Sequence, residues 1–327
     1  MRRFFLLAIF APTLLWAWGR DGHRLITRLA VLHLPSDMPA FFTSSAAQLE
    51  MLSLAPDEWR DRDESTLAPT LLKDRDPDHF FSWDWYAPAT LPPDVYSYAD
   101  AIRAANRELP RMGTLPYAAM EAFQRMRSDF RQWRKTDADL TLSATDPSAG
   151  DPKTLANQKR FLEARIIADA GMIAHYIGDG SQPLHVTENY NGWKAAGNPR
   201  KYTTDTTLHR RFESDYVAAR VKDSEVEPVL APLQKGPMGM GTIYAHLERA
   251  HKQVNHLYDL EKATPFNPDN QNQEAHKLVV DRLADGASVL RDMWYSAYLT
   301  ATVSPRPPAT TQPKTTTPAA TTQPPSH

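Results

Sequence analysis

The chain contains no cysteine. Neither a disulfide framework nor a thiolate metal site can form, so any metal must be held by nitrogen and oxygen donors. A strong charge bias is also missing. The formal net charge is −2, and losing Arg2 and Arg3 with an N-terminal leader would only make it more negative. Such a balance exerts no pull on polyanions, which argues against a histone-like or repressor-like DNA binder. An enzyme acting on phosphodiesters is not excluded. Beyond the N-terminus there is no long apolar run, no succession of strand-like runs with hairpin turns, and no internal repeat. What is there is 327 residues with 42% hydrophobic content, enough for one large core or two modest ones.

The chain starts Met1-Arg2-Arg3, followed by an almost wholly apolar stretch from Phe4 to Ala17. That stretch is short for a membrane span of ~20 residues. With its basic start and small final residue it describes a secretory signal. Cleavage is expected after Ala17, so that the mature chain begins at Trp18 and is exported to the periplasm or the extracellular medium. Residues 304–327 are almost only Pro, Thr, Ala and Gln, a composition that cannot build a core and is expected to form a disordered tail. Residues 18–303 are expected to be one catalytic domain.

Within that domain apolar residues recur at helical spacing over seven stretches. These run from His23 to His33, Tyr98 to Leu109, Tyr117 to Trp133, Gln158 to Tyr176 (Phe161 among its apolar positions), Leu208 to Val221, Ile243 to Leu260, and Glu274 to Leu299. The expected fold is an all-α, single-domain helical bundle with long metal-ligand-bearing loops. The two long loops, 69–93 and 186–207, are of the length that usually carries function.

The chemistry gathers in the middle of the chain. In His175-Tyr-Ile-Gly-Asp179 an imidazole and a carboxylate stand four apart and share one helix face, so both can grip one metal. Gly180 and Pro183 then turn the chain and aim His185 back towards that face. A second pair, His209-Arg-Arg-Phe-Glu213, repeats the spacing on another helix. Either pair alone describes an ordinary solvated helix face. Two pairs with a third histidine at the turn between them supply the donors zinc takes where cysteine is absent.

The segment from His175 to His185 resembles the signature of the superfamily that unites zinc-dependent phospholipase C with the single-strand-specific S-one/P-one nucleases. Four further segments are similar, in order: Trp18-Gly-Arg-Asp-Gly-His23, Ala55-Pro-Asp57-Glu-Trp-Arg60, Asp78-His79-Phe80-Phe81, and His209 to Glu213. The resemblance implies a trinuclear zinc site. One zinc would take Asp57, His79, His175 and Asp179; a second His185, His209 and Glu213; a third the Trp18 amine and carbonyl, His23 and the shared Asp179. It implies an activated water as nucleophile, oriented by Asp57, with Arg60 contacting phosphate oxygens. Phe80, Trp83 and Asp84 are the expected substrate contacts, and the aromatic cluster Trp83, Trp85 and Tyr86 beside His79 is either loop packing or a platform for stacked bases.

Departures from the pattern bear on substrate. Glu213 stands where the nucleases usually have Asp and phospholipase C has Glu. Ser82 stands where the nucleases tend to carry a base-binding acid. The loop after His185 offers Asn191-Gly192 and Gly197-Asn198 in place of Gly-Gly-Asn. Arg60 and the spacing from Trp18 to His23 favour the nuclease branch. The expected activity is hydrolysis of single-stranded DNA or RNA, with 3′-nucleotidase activity, by a monomer without an obligate protein partner. A phospholipase C acting on phospholipid headgroups is the enzyme alternative, and a non-catalytic zinc-binding protein the other. His33, His246, His251 and His256 lack a ligand pattern and are read as structural. Arg200, Lys201, Arg210 and Arg211 are read as solvated surface.

Overall fold

The computed structural model describes residues 18–60, 75–86, 88 and 90–303. The expected leader, the expected tail and much of the first long loop lie outside the described residues. The protein is built from helices, and no β-strand forms among the described residues. The elements that matter for the site are α1 (Gly19–Leu32), α2 (Ala46–Leu52), α3 (Ala55–Glu58), α4 (Val95–Ala104), α5 (Leu115–Leu142), α6 (Pro152–Ser181), α7 (Met240–His251), α8 (Val254–Ala263) and α9 (Gln273–Thr300).

The frame is the long pair α5 and α6. Their cross-contacts step in opposite directions along the two helices: Asp137 with Lys159, Trp133 with Glu163, Asp129 with Arg165, and Arg125 with Asp169. The pair is therefore antiparallel and in register for more than three turns. The start of α6 is set by Asp151, whose side chain accepts from the Thr154 N–H at 2.8 Å, with Pro152 in the first turn. Helix α9 starts in the same way under Asn272, which accepts from the N–H groups of Glu274 and Ala275. From Leu283 to Ala297 it is buried on nearly every side, the mark of a central core helix. Its Trp294 is wholly buried, and the indole N–H donates to the Ala170 carbonyl of α6 at 3.1 Å.

Helix α1 lays Leu25, Ile26, Leu29 and Ala30 into the same core, as their spacing predicts. The three helices meet at Gly286, where an added Cβ would lie 2.9 Å from Ser181 Oγ and 3.1 Å from Ile26 Cδ1. This contact fixes the C-terminal end of α6, the end that carries His175 and Asp179, against α1, which carries His23.

Three expectations change in detail. The stretch from Ile243 to Leu260 forms two helices, α7 and α8, because the chain turns at Lys252 and Gln253. Helix α4 stops at Ala104, short of Leu109, because Asn106 adopts φ 57° and the end is closed by Asn106 N–H to Arg103 O and Arg107 N–H to Ile102 O. Phe161 is 71% exposed and contributes nothing to the core.

Trp294→Ala is expected to cost about 3–5 kcal/mol, the range for deleting a large buried aromatic. Phe161→Ala should stay within about 0.5 kcal/mol. Urea denaturation of the two variants beside the parent chain checks both.

Candidate metal centre

Five histidines and three carboxylates converge where α1, α3, α6, two 3₁₀ turns and the short helical stretch 208–216 meet. His175 and Asp179 lie one turn apart near the end of α6, and both are wholly buried. Beyond Ser181 the backbone becomes extended at Gln182, and Pro183 opens a 3₁₀ turn, Pro183–Val186, that returns His185 to the same side. His79 ends another 3₁₀ turn, Asp76–His79, tied to the start of α5 by Thr114 Oγ1 on Asp78 at 2.7 Å. His23 comes from α1 and Asp57 from α3. His209 lies in a short α turn, Leu208–Arg210, that continues as a π-helical stretch, Arg211–Tyr216, and Glu213 sits inside the π-helical stretch. Such π insertions cluster at functional sites because they re-aim side chains.

The distances define three groups, each compact enough for one cation: His23/Asp57/His175, His79/His175/Asp179 and His185/His209/Glu213. Asp179 Oδ2 lies 3.1 Å from His79 Nδ1 and 3.3 Å from His175 Nε2, and Asp179 Oδ1 lies 3.3 Å from His23 Nε2. Asp57 Oδ1 is 3.6 Å from His79 and 3.8 Å from His175. In the third group Glu213 Oε2 is 2.7 Å from His209 Nε2 and 3.8 Å from His185 Nε2. Nitrogen and oxygen donors held ~2.1 Å from one tetrahedral ion stand about 3.4 Å apart, the middle of these separations. All eight side chains expected as ligands are thus brought together.

Two carbonyls fix the direction of the donors. His175 Nδ1 donates to the Ser53 carbonyl at 2.8 Å, and His185 Nδ1 donates to the His79 carbonyl. Each points its Nε2 at the cluster, the arrangement seen behind metal-bound histidines. Other atoms are left without partners. Both ring nitrogens of His23, Asp57 Oδ2, Asp179 Oδ1 and Glu213 Oε1 are buried and make no hydrogen bond among the described residues. Unmade bonds at buried polar atoms are costly, and cations among these donors would satisfy them. The residues present fit a metal.

Charge tells the same story. Burial pushes the Glu213 carboxyl up to about 8 and the His209 imidazole down to about 4. Burial, then the charge of His175, lowers His23. For His175 burial acts downward but is outweighed by Asp179 and Asp57, which bring it to about 9. For Asp179 burial acts upward, yet His175 and His185 hold it well below the usual carboxylate range. The metal-free centre therefore stores protons on Glu213 and His175 that a cation must displace.

Trp18 is wholly buried beside the centre, with φ 46°, its indole N–H donating to Ser181 Oγ at 2.7 Å and its ring against Phe212. Its carbonyl accepts the first α1 hydrogen bond, from Gly22 N–H at 3.0 Å. Gly178 is the close-approach residue. A Cβ there would stand 2.6 Å from His23 Nδ1, so only glycine lets the His23 ring stack on His175 at 4.4 Å.

His79, His185 and His209 bring the centre to the floor of a cleft of about 760 Å³, which Arg60, Phe80 and Trp85 also line, among others. Arg60 places its Nε 2.9 Å from Asp76 and one terminal nitrogen 3.4 Å from Asp57. Phe80 lines the cleft as expected, but two other expected substrate contacts require correction. Trp83 is only 6% exposed, packed between Tyr244 and His251. Asp84 accepts from Thr187 Oγ1 and the Glu188 N–H and pairs with His251 at 3.0 Å. Both side chains latch the loop onto its neighbours.

Arg211 is likewise no surface residue, since it bridges Glu261 at 2.7 Å and Asp205 at 3.0 Å. The four remaining histidines read as structural each meet one carboxylate distant in sequence: His33 with Glu227, His246 with Asp285, His251 with Asp84, and His256 with Glu274. Sequence reasoning passed over Gln182. Its amide lies 3.2 Å from Glu213 and 3.3 Å from His209, while its Oε1 caps the turn to His185. Its place between Asp179 and His185 was the available signal. No protein-family model matches the chain, and no curated protein matches it.

Metal uptake should release protons, because Glu213 must ionise and His175 must be neutral to ligate. Affinity is therefore expected to rise with pH up to about 8 for Glu213 and about 9 for His175, read by titrating metal into chelator-treated protein in weakly buffered indicator dye. Gly178→Ala is expected to lower bound metal per chain by displacing His23, checked by elemental analysis of folded variant.

Proposed function

We propose that the protein is a zinc-dependent phosphodiesterase that hydrolyses single-stranded nucleic acid through a trinuclear site. The observation that carries this reading is the sharing of donors. Asp179 lies within 3.3 Å of His23, His79 and His175, with Oδ2 towards His79 and His175 and Oδ1 towards His23. Adjacent cations with common ligands suit a reaction in which a phosphodiester gains negative charge. Zinc is favoured because every available donor is nitrogen or oxygen and the spacings suit a tetrahedral ion.

Zinc bound there supplies Lewis acidity, easing ionisation of a water and stabilising charge on the phosphate. The protein's own side chains do the rest. Arg60, on the cleft wall beside Asp57, offers N–H donors to phosphate oxygens. Asp57, with one oxygen lacking a protein partner, is placed to orient the attacking water. Phe80 and the 43% exposed Trp85 give the cleft flat apolar faces, which unpaired bases can use. The Trp18 amine, once an export signal is removed, would complete the group around His23. A phospholipase C reading remains the enzyme alternative, favoured by glutamate at position 213.

The protein is expected to hold three zinc ions per chain and to turn over bis(p-nitrophenyl) phosphate, with activity abolished by chelation and restored by zinc. Arg60→Ala should keep its zinc and lose about 10²–10³ in kcat. Full zinc without turnover would leave a binding protein. Full kcat in the variant would remove Arg60 from the chemistry.

A further inference from the structure

The outer wall of the cleft carries two aromatic rings, each capped by a cation. Arg107 lies 3.9 Å from the ring centre of Trp85, and Lys194 Nζ lies 3.6 Å from that of Tyr190. All four residues line the cleft that opens on the metal centre. The rings remain accessible, Trp85 at 43% and Tyr190 at 40%, although each is large enough to favour burial. The Tyr190 ring stands 6.1 Å from that of His209, so this pair adjoins the centre directly.

The cations differ from their neighbours. Arg60 and Arg111 in the same cleft are engaged by Asp76 at 2.9 Å and Glu108 at 3.1 Å. Neither Arg107 nor Lys194 forms a salt bridge among the described residues. Glu188 accepts from Trp85 and lies within electrostatic reach of both Arg107 and Lys194.

Both cations stand on fixed backbone. Arg107 is the residue at which the end of α4 is closed, its N–H bonded to Ile102 O at 3.0 Å past the left-handed Asn106. Lys194 follows the buried Asn189, whose Oδ1 accepts from the N–H groups of Lys194 and Ala195 at 2.8 and 3.0 Å. Cations and rings held in this way are preorganised, and little further ordering is needed when a ligand arrives.

We propose that Trp85/Arg107 and Tyr190/Lys194 are two nucleotide subsites flanking the metal centre, each taking an unpaired base on its ring and a neighbouring phosphate on its cation. The inference rests on the phosphodiesterase reading and adds to it a substrate longer than the bond being broken. A guanidinium over an indole is a surface on which bases also stack. A phospholipid has a single phosphodiester and no flat group for the second ring.

The test compares initial rates on octathymidylate and on methyl p-nitrophenyl phosphate, which is too small to reach the rim. Trp85→Ala and Tyr190→Ala are each expected to raise KM for octathymidylate about tenfold. That loss should appear in KM rather than kcat and be at least fivefold larger than on the small ester, and Trp85→Phe should recover most of it. Arg107→Ala and Lys194→Ala should each reduce the slope of log KM against log salt by about 0.7. Unchanged KM for octathymidylate in both aromatic variants overturns the subsites, as do equal losses on the two substrates. Loss confined to phosphatidylcholine micelles would give the rim to lipid and overturn them too. A parent enzyme inert on both esters would instead refute the phosphodiesterase reading itself, and the subsites with it.

Discussion

The Asp179 carboxylate is wholly buried near the end of a thirty-residue helix, and much of the molecule is arranged around that charge. Burial of a carboxylate is costly unless opposite charge and hydrogen bonds surround it. Here the compensation comes from imidazoles on three elements: His175 one turn earlier, His79 from a 3₁₀ turn and His23 from the first helix. Those contacts need the helices to meet closely, which Gly286 and Gly178 permit by having no Cβ in the way. Even so the compensation is incomplete, since one oxygen of Asp179 and both nitrogens of His23 have no hydrogen bond among the described residues. Cations in the centre would complete it, and metal binding would then be part of the folding free energy.

The helical architecture was legible because its cause is local. Apolar spacing marked the faces of α1, α6 and α9, although the Asp151 cap starts α6 at Pro152, six residues before the expected Gln158. The pairs His175/Asp179 and His209/Glu213 were legible because an imidazole and a carboxylate four apart share a helix face, whatever that helix packs against, whereas His23, Asp57 and His79 were named only through the family resemblance. What escaped depends on tertiary contacts. Trp83 and Trp85 are two residues apart in one loop, yet one is buried on Tyr244 and the other faces the cleft. No local pattern separates them. The acids that partner His33, His246, His251 and His256 lie far away in sequence or, for His256 and Glu274, on another element. The π-helical stretch holding Glu213 could not be told from an α-helix by spacing.

The cleft joins two kinds of recognition with different physical reach. At its floor, charge is buried and unsatisfied, which suits tight ions and a reacting phosphate. At its rim, charge is exposed and balanced on aromatic faces, which suits a polyanion with flat groups. Arg60 stands between them, with one nitrogen toward Asp57 and another on Asp76. Loop-latching residues such as Asp84 and Asn189 keep the rim in register with the floor. On the proposed function neither region alone would select a nucleic acid strand, because the floor would accept any phosphodiester and the rim any stacked anion.

The central claim is that three zinc ions occupy the buried donors. Anomalous diffraction from crystals of the mature protein, collected on either side of the zinc absorption edge, tests it most directly. The account predicts three peaks: one among Asp57, His79, His175 and Asp179; one among His185, His209 and Glu213; and one beside His23 and Trp18. A single peak, peaks lying only on the surface, or none in protein grown with zinc would contradict it.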